Sequence, residues 1–321
     1  MPKREMKELR IGIIGCGGIG GVHLRSWAQV EGARVAAACD ADLSRAEAAG
    51  APAYQEFEAM LQAEELDAVD ICTPPHLHAP AALAALRRGI PTLCEKPLAR
   101  TPEEAREMVQ TADASGTLLM TAFCHRFHPP IEFVRDLVQR GQLGRVLMFR
   151  NRFGTRFAGI EDRWFSKAEI AGGGALMDTS VHSVDLFRYL VGEVQSATAA
   201  LQTFNPAISG VEDSAALLLK AENGAIGVVE ASWMTPWSAN VVELYGEQGA
   251  AVVDYDTGET RYRLEGEAAW TLMERSEGDR FVEELRHFAA VARGEAQPRV
   301  TGQDGLRAVE IIHEAYGNPL G

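Results

Sequence analysis

LRIGIIGCGGIG, residues 9–20, holds three signals in succession: an apolar run, a glycine cluster at its end, and the start of a helix. The run is short and continuous, as suits a strand buried on both faces. GCGGIG, from Gly15 through Gly17, Gly18 and Ile19 to Gly20, fits G-x-G-x-x-G. Glycines at these positions permit a tight turn. They also let the backbone approach a pyrophosphate at a helix start, where free N–H groups and the helix dipole favour an anion. A lone match carries little weight. Here Asp40 follows Gly20 by 20 residues at the end of the next strand-like run, where a carboxylate can bind a ribose 2′-hydroxyl. Asp42 adds negative charge where a 2′-phosphate would sit, which favours NAD over NADP, and Arg45 is the group able to reverse part of that preference.

Outward from this turn the same rhythm repeats. Strand-like runs occur at Arg34–Cys39, Ala68–Cys72, Pro91–Cys94 and Thr117–Phe123, and helical stretches lie at 19–30, 43–49, 79–88 and 102–115. Short apolar strands alternating with helices predict a doubly wound parallel sheet, an α/β domain spanning residues 1–123. The pattern then changes. Residues 129–140 and 174–190 read as helices and 145–153 as a strand; strands follow one another from 194 to 273, with Asn223-Gly224 marking a hairpin. Helices at 279–293 and 303–316 close the chain. Residues 124–321 therefore predict an α+β domain with a large, open, mostly antiparallel sheet.

The 321 residues suffice for two domains with separate cores, and 46% hydrophobic with 24% charged is an ordinary globular composition. A formal charge of −14 speaks against nucleic acid or an anionic membrane as partner, since both require a basic footprint. The charged start MPKREMKELR shows no signal-peptide core, and no apolar run approaches membrane-spanning length, which predicts a cytoplasmic protein. The odd cysteine count of five, without C-x-x-C, agrees with a reducing compartment. Cys39, Cys72, Cys94 and Cys124 fall at or just past strand ends and read as small buried thiols rather than metal ligands.

Three further stretches carry candidate chemistry. CTPPHLHAP, residues 72–80, turns outward at the carboxyl edge of the first sheet, where open α/β sheets bind ligands. Thr73 and Pro74 lie at that edge, and His76 and His78 suit lining a cofactor or entering a helix better than holding a metal. CEKPLA, residues 94–99, ends the next run at the same edge. A lysine at position 96 could align a nicotinamide and favour proton loss from a bound hydroxyl. AGGGALMDTSVHSVDLF, residues 171–187, places Asp178, His182 and Asp185 at i, i+4 and i+7 on one helix face. Two carboxylates and an imidazole suit neither burial nor an indifferent surface. Histidine titrates near neutrality and can accept a hydroxyl proton during hydride transfer; Asp178 could bond substrate or steady the ring. Asp185 could hold the other ring nitrogen or cap a neighbouring segment.

The Gly-rich turn, TPPHLH, CEKP and GGGALMDTSVHSVD, in this order, resemble the Gfo/Idh/MocA family of NAD(P)-dependent oxidoreductases from Ile11 to Tyr316. The resemblance implies a Rossmann domain, a C-terminal domain whose open sheet forms a homodimer or homotetramer, and sugar, inositol or polyol substrates. It implies Lys96, Asp178 and His182 as the catalytic residues. Gly15–Gly20, Asp40, Thr73, Pro74, His78, Glu95, Lys96, Arg126 and Trp164 then line the cofactor, with Arg126 and His128 drawn from FCHRFHP, residues 123–129. Arg163, beside Trp164, is a weaker candidate for contacting cofactor or substrate. Phe153, Arg156, Trp233 and Trp237 suit a sugar face, while core packing or an oligomer interface explains the tryptophans equally well. Specificity would lie in loops near 153–170, 203–212 and 233–240. Two other activities fit the resemblance: transient use of NAD for redox-assisted elimination, and a non-catalytic NAD(P)-binding regulator. The retained acid–base residues argue against the regulator.

Overall fold

The computed structural model describes residues 8–237, 239–273 and 278–320. The first seven residues of the charged start, and position 238 of the 233–240 loop, lie outside these. The N-terminal half forms β1 (Leu9–Ile14), α1 (Gly18–Trp27), β2 (Ala33–Cys39), α2 (Leu43–Glu47), β3 (Ala53–Tyr54), α3 (Phe57–Ala63), β4 (Ala68–Ile71), α4 (His78–Leu86), β5 (Thr92–Glu95), α5 (Pro102–Ser115) and β6 (Leu119–Ala122). Their strands make one parallel sheet in the order β3-β2-β1-β4-β5-β6. Every residue of β4, β5 and β6 is buried, Asp70, Thr92, Glu95 and Thr121 included, so these strands read as short, mostly apolar runs. The order reverses between β1 and β4, and the Gly-rich turn sits at that switch point. α5 shows how locally its bounds are set. Thr101 accepts a hydrogen bond from the Glu104 amide at 3.2 Å, Pro102 opens the helix, and Gly116 closes it at φ +62°.

The chain continues with α6 (Pro129–Gln139), β7 (Val146–Gly154), α7 (Ala168–Ala171), α8 (Ala175–Asp178), α9 (Ser180–Leu190), β8 (Val194–Gln202), β9 (Ser214–Ala221), β10 (Ile226–Ser232), β11 (Val241–Gly246), β12 (Gly249–Asp254), β13 (Thr260–Leu264), β14 (Thr271–Leu272), α10 (Arg280–Ala292) and α11 (Gly302–Gly317). Eight strands form a sheet ordered β14-β13-β12-β11-β7-β10-β9-β8. Among its described strands only β7 and β10 pair in parallel. The Asn223-Gly224 turn joins β9 to β10 with Gly224 at φ +89°. α9 covers one face: a Cβ on Gly227 would stand 2.8 Å from the Phe187 ring.

The structure departs from the sequence reading in three places. β3 and α3 occupy a region where no element was expected: one has two residues at the sheet edge, and the other buries only Met60 and Leu61. The helix expected over 174–190 is broken at Thr179 into α8 and α9. Finally, the described chain divides into one unit ending at Cys124 and rejoined by Asp279–Leu306, and a second comprising His125–Gly278 and the residues from Arg307. The sequence reading assigned everything from 124 onward to the second domain. α10 instead belongs with the first unit because its apolar face, including Leu285 and Phe288, packs on α1, with Phe288 meeting Trp27 edge-on at 6.4 Å.

Candidate active site

In the first unit, the Gly-rich turn joins β1 to α1 with a different requirement at each glycine. Gly15 has φ +96°, and a Cβ there would lie 2.6 Å from the Cys72 carbonyl carbon. A Cβ on Gly20 would stand 2.0 Å from the Gly15 oxygen, so that glycine lets α1 close against the turn. Among the described residues, Gly18 has nothing within 4 Å of its Cβ position, and Gly17 has only an Arg45 guanidinium nitrogen at 3.7 Å. The N-terminus of α1 carries no side-chain cap. Open space over uncapped helix amides fits an anionic pyrophosphate. Asp40 braces the turn, accepting from the Cys16 amide at 2.8 Å through one oxygen and from the Asp42 amide at 2.9 Å through the other. Each oxygen keeps lone-pair capacity for a ribose hydroxyl. Asp42 caps α2 through Ser44 and pairs with Arg45 at 3.3 Å, so its charge is partly offset locally.

At the neighbouring strand ends, His78 is buried with a ring nitrogen 2.8 Å from each of the Thr73 and Pro97 carbonyl oxygens. Burial pulls its pKa below the ordinary value. The ring therefore braces the turns after β4 and β5 against each other. Pro74 precedes a short 3₁₀ turn over Pro75–Leu77. Glu95 points inward: it is buried, accepts from the Lys96 amide at 3.0 Å, and contacts the buried His23 at 3.1 Å. Lys96 follows β5 directly, half-buried at the carboxyl edge.

In the second unit, the structure explains the glycines at 172–174. Gly172 ends α7 in the left-handed region at φ +81°. A Cβ on Gly173 would come within 2.3 Å of the Tyr316 hydroxyl, and one on Gly174 within 1.8 Å of the Glu212 carbonyl oxygen. The backbone is packed this closely because Glu212 organises the start of α8. Its carboxylate accepts from the Leu176 amide at 2.7 Å and from the Tyr316 hydroxyl at 2.9 Å, while the Gly174 amide donates to that hydroxyl at 3.3 Å. Burial raises the Glu212 pKa against these bonds. Asp178 thus ends one short helix and His182 lies in the first turn of the next, with Trp233 donating to Thr179 between them at 3.3 Å.

Both side chains are half-buried, whereas Val181, Ser183, Val184 and Asp185 are sealed. Asp185 is placed differently from the other two. It grips Arg126 through both oxygens, at 2.6–3.1 Å, with both residues buried and the guanidinium 4.8 Å from the Tyr189 ring centroid. Arg126 is therefore committed within the second unit. Beside His182 stands His125, ring centroids 4.5 Å apart, and the Tyr255 hydroxyl lies 2.8 Å from His125 Nδ1. His128 stacks on Tyr255 at 4.8 Å and Phe153 lies 5.2 Å from His125. Trp164 stacks on Phe165 at 3.7 Å; Arg156 and Arg163 are exposed. Trp233 is core, whereas Trp237 is 98% exposed.

Sequence reasoning did not single out His125, Tyr255, Glu212, Tyr316 or His23. Tyr255 and Tyr316 have no local signal, since each acts across a long separation in the chain. His23 had one: it shares the buried face of α1 with Trp27 four residues on.

Residues 9–123 match the model of the oxidoreductase family with NAD-binding Rossmann fold, and residues 131–252 match the Gfo/Idh/MocA C-terminal domain. The chain is 30% identical to the D-apiose dehydrogenase of Paraburkholderia graminis, over 97% of this chain and 88% of that one. It belongs to the Gfo/Idh/MocA family of oxidoreductases. Within that family it is also 36% identical to inositol 2-dehydrogenase 2 of Saccharopolyspora erythraea, over 75% of this chain and 72% of the relative. The structure of levoglucosan dehydrogenase in complex with NADH and L-sorbose superposes with a TM-score of 0.91, at 25% identity over 97% and 96% of the two chains. This Gfo/Idh/MocA protein is an NAD-dependent oxidoreductase with a Rossmann-fold cofactor unit. Among the described residues, no helix is long and apolar enough to cross a membrane.

Proposed function

We propose that this protein oxidises a secondary alcohol of a sugar, inositol or related polyol, with His182 as acceptor of the hydroxyl proton. The observation that carries this reading is that Asp178 and His182 are half-buried on helices whose other residues are largely sealed. The relatives named as D-apiose dehydrogenase and inositol 2-dehydrogenase, and the levoglucosan dehydrogenase structure, support the substrate class. Bound at the Gly15–Gly20 turn, NAD+ supplies the hydride acceptor. The turn's open amides hold the pyrophosphate, and Asp40 takes a ribose hydroxyl. His182 Nδ1 or Nε2 receives the proton, Asp178 orients the substrate hydroxyl, and the Lys96 ammonium stabilises charge developing on the alcohol oxygen.

The test is His182→Ala, assayed at 340 nm with levoglucosan, D-apiose and inositol. Single-turnover oxidation should fall by about 10²–10⁴ while NAD affinity stays within a few-fold. A variant that oxidises at the wild-type rate would remove His182 from the mechanism. The same reading assigns self-association to the second sheet, whose uncovered face exposes Leu218 and Ile226 and holds a concavity of about 610 Å³ bordered by Arg152, Phe204 and Glu230. Light scattering at micromolar concentration should give a dimer or tetramer; a monomer would contradict it.

A further inference from the structure

A cluster of charged side chains lies inside the first unit, behind the turn that carries Lys96. His23 from α1, Asp70 from β4 and Glu284 from α10 are fully buried, and Glu95 from β5 is 5% exposed. The contacts form a continuous path. Trp27 donates to Asp70 Oδ2 at 2.8 Å, the same oxygen lies 2.9 Å from His23 Nδ1, and His23 Nε2 lies 3.1 Å from Glu95 Oε1. Glu95 Oε2 then accepts from the backbone amide of Lys96 at 3.0 Å. Both imidazole nitrogens face carboxylate oxygens, so both act as donors and the ring is an imidazolium. Burial opposes that charge, but Asp70 and its hydrogen bond outweigh it and hold the His23 pKa well above the ordinary value. Cys72 stands by at 3.5 Å from Asp70 Oδ1, and the Phe281 ring at 6.0 Å from the imidazole. α10 adds Glu284, whose pKa burial first and Glu95 second raise well above the ordinary value, and Arg280, one turn earlier, whose charge acts on Glu284 in the opposite sense.

An apolar core would be at least as stable here, because buried ion pairs seldom repay their desolvation. A buried, directional chain that ends on one particular amide serves geometry instead. We propose that His23 is a positioning residue which, through Glu95, fixes the backbone of Lys96. This rests on the proposed role of Lys96 above. The imidazolium locks one carboxylate oxygen of Glu95, which leaves the other aimed at the amide that starts the turn. The lysine side chain then leaves β5 in a single direction.

The experiment compares His23→Gln, Glu95→Gln, Lys96→Ala and the His23→Gln/Lys96→Ala pair in the full chain, with NAD and levoglucosan, D-apiose or inositol. Gln at 95 keeps the shape of the side chain but cannot accept from both partners through charged oxygens, and it stands in if the His23 variant fails to fold. Each single variant at 23 or 95 should lower kcat about 10–100-fold, with the dissociation constant for NAD within about three-fold of wild type. In the Lys96→Ala background, His23→Gln should change the rate less than two-fold, because its effect passes through the missing side chain. Multiplying effects, or loss of NAD affinity in step with kcat, would overturn the proposal and leave His23 a general stabiliser. Wild-type turnover by Lys96→Ala would instead defeat the reading of Lys96 itself. A readout independent of substrate comes from ¹³C-methylated lysines, which are few in this chain: Lys3, Lys7, Lys96, Lys167 and Lys220. His23→Gln and Glu95→Gln should move the Lys96 signal and leave Lys167 and Lys220 in place; an unmoved Lys96 signal would refute the positioning.

Discussion

Among the described residues, Gly18 looks onto open space and Gly17 meets only the tip of the Arg45 side chain, whereas Gly173 and Gly174 are walled in by the Tyr316 hydroxyl and the Glu212 backbone. In sequence the two clusters resemble each other, glycines in quick succession before a helix. In the first the missing side chains leave room for a ligand, and in the second they admit another part of the same chain. A glycine cluster therefore reports close approach, and only the surroundings show what approaches. The same contrast separates two buried carboxylates. Glu212 has the Leu176 amide and the Tyr316 hydroxyl as donors, while among the described residues neither oxygen of Glu284 has a hydrogen-bond partner.

The sharpest test of the contrast sets Gly174→Ala against Gly18→Ala. At 174 the added methyl would overlap the Glu212 carbonyl at 1.8 Å, a clash with backbone that no rotamer relieves. The expected loss is about 3 kcal/mol or more, on the order of 10 °C in melting temperature. At 18 nothing lies within 4 Å, and alanine favours a helix over glycine by up to about 1 kcal/mol, so stability should hold or rise slightly. Equal melting temperatures for the two variants would erase the distinction.

Gly17→Ala comes next. Its methyl would enter the space assigned to the pyrophosphate, so NAD affinity should fall by on the order of 10-fold, about 1.4 kcal/mol, at an unchanged melting temperature. Calorimetric titration with the wild-type constant would mean that the cofactor does not approach this glycine.

For Glu284→Gln the sign depends on pH. Burial first, and Glu95 second, raise the Glu284 pKa, so the folded protein binds this proton more tightly than the unfolded chain does. The corresponding stability is present below about pH 4.3 and fades as pH climbs toward the folded value. A glutamine does not ionise. The variant should therefore melt within a degree of wild type near pH 4.5 and gain on it by pH 8, on the order of 1 kcal/mol. A constant difference across that range would show that Glu284 does not carry the titration.

The smallest effect concerns Arg45, whose guanidinium pairs with Asp42 and hangs 3.7 Å from the Gly17 Cβ position. Arg45→Ala should lower NADP affinity a few-fold and leave NAD nearly untouched, and an equal loss of both would make Arg45 a general contact.

These contrasts also mark what could be read in advance. β1, the turn and Asp40 were legible because the determinants lie within a short span and each strand is mostly apolar, with buried residues running up to the turn. Asp178 and His182 were legible as polar intrusions in a helical pattern, but the break at Thr179 was not, because it is fixed by Glu212, Trp233 and Tyr316 from distant segments. Asp185 kept the same spacing and meant something else, since its partner Arg126 lies 59 residues away. His23 is the extreme case. Its partners are 47 and 72 residues off, and in isolation it is one histidine on the inner side of a helix.

The return of α10 to α1 bears on how the protein emerges during synthesis. The ribosome releases residues up to Cys124 long before it has made Asp279–Leu306, which completes the same unit. At about 5–20 residues per second the wait lasts roughly 10–40 s, during which Trp27 lacks Phe288 and the buried charges lack α10. The second unit is mostly synthesised within that interval. The cofactor-binding unit comes first in the chain but is among the last parts of the molecule to be completed, so a gene fragment ending at Cys124 would encode it without its closing helix.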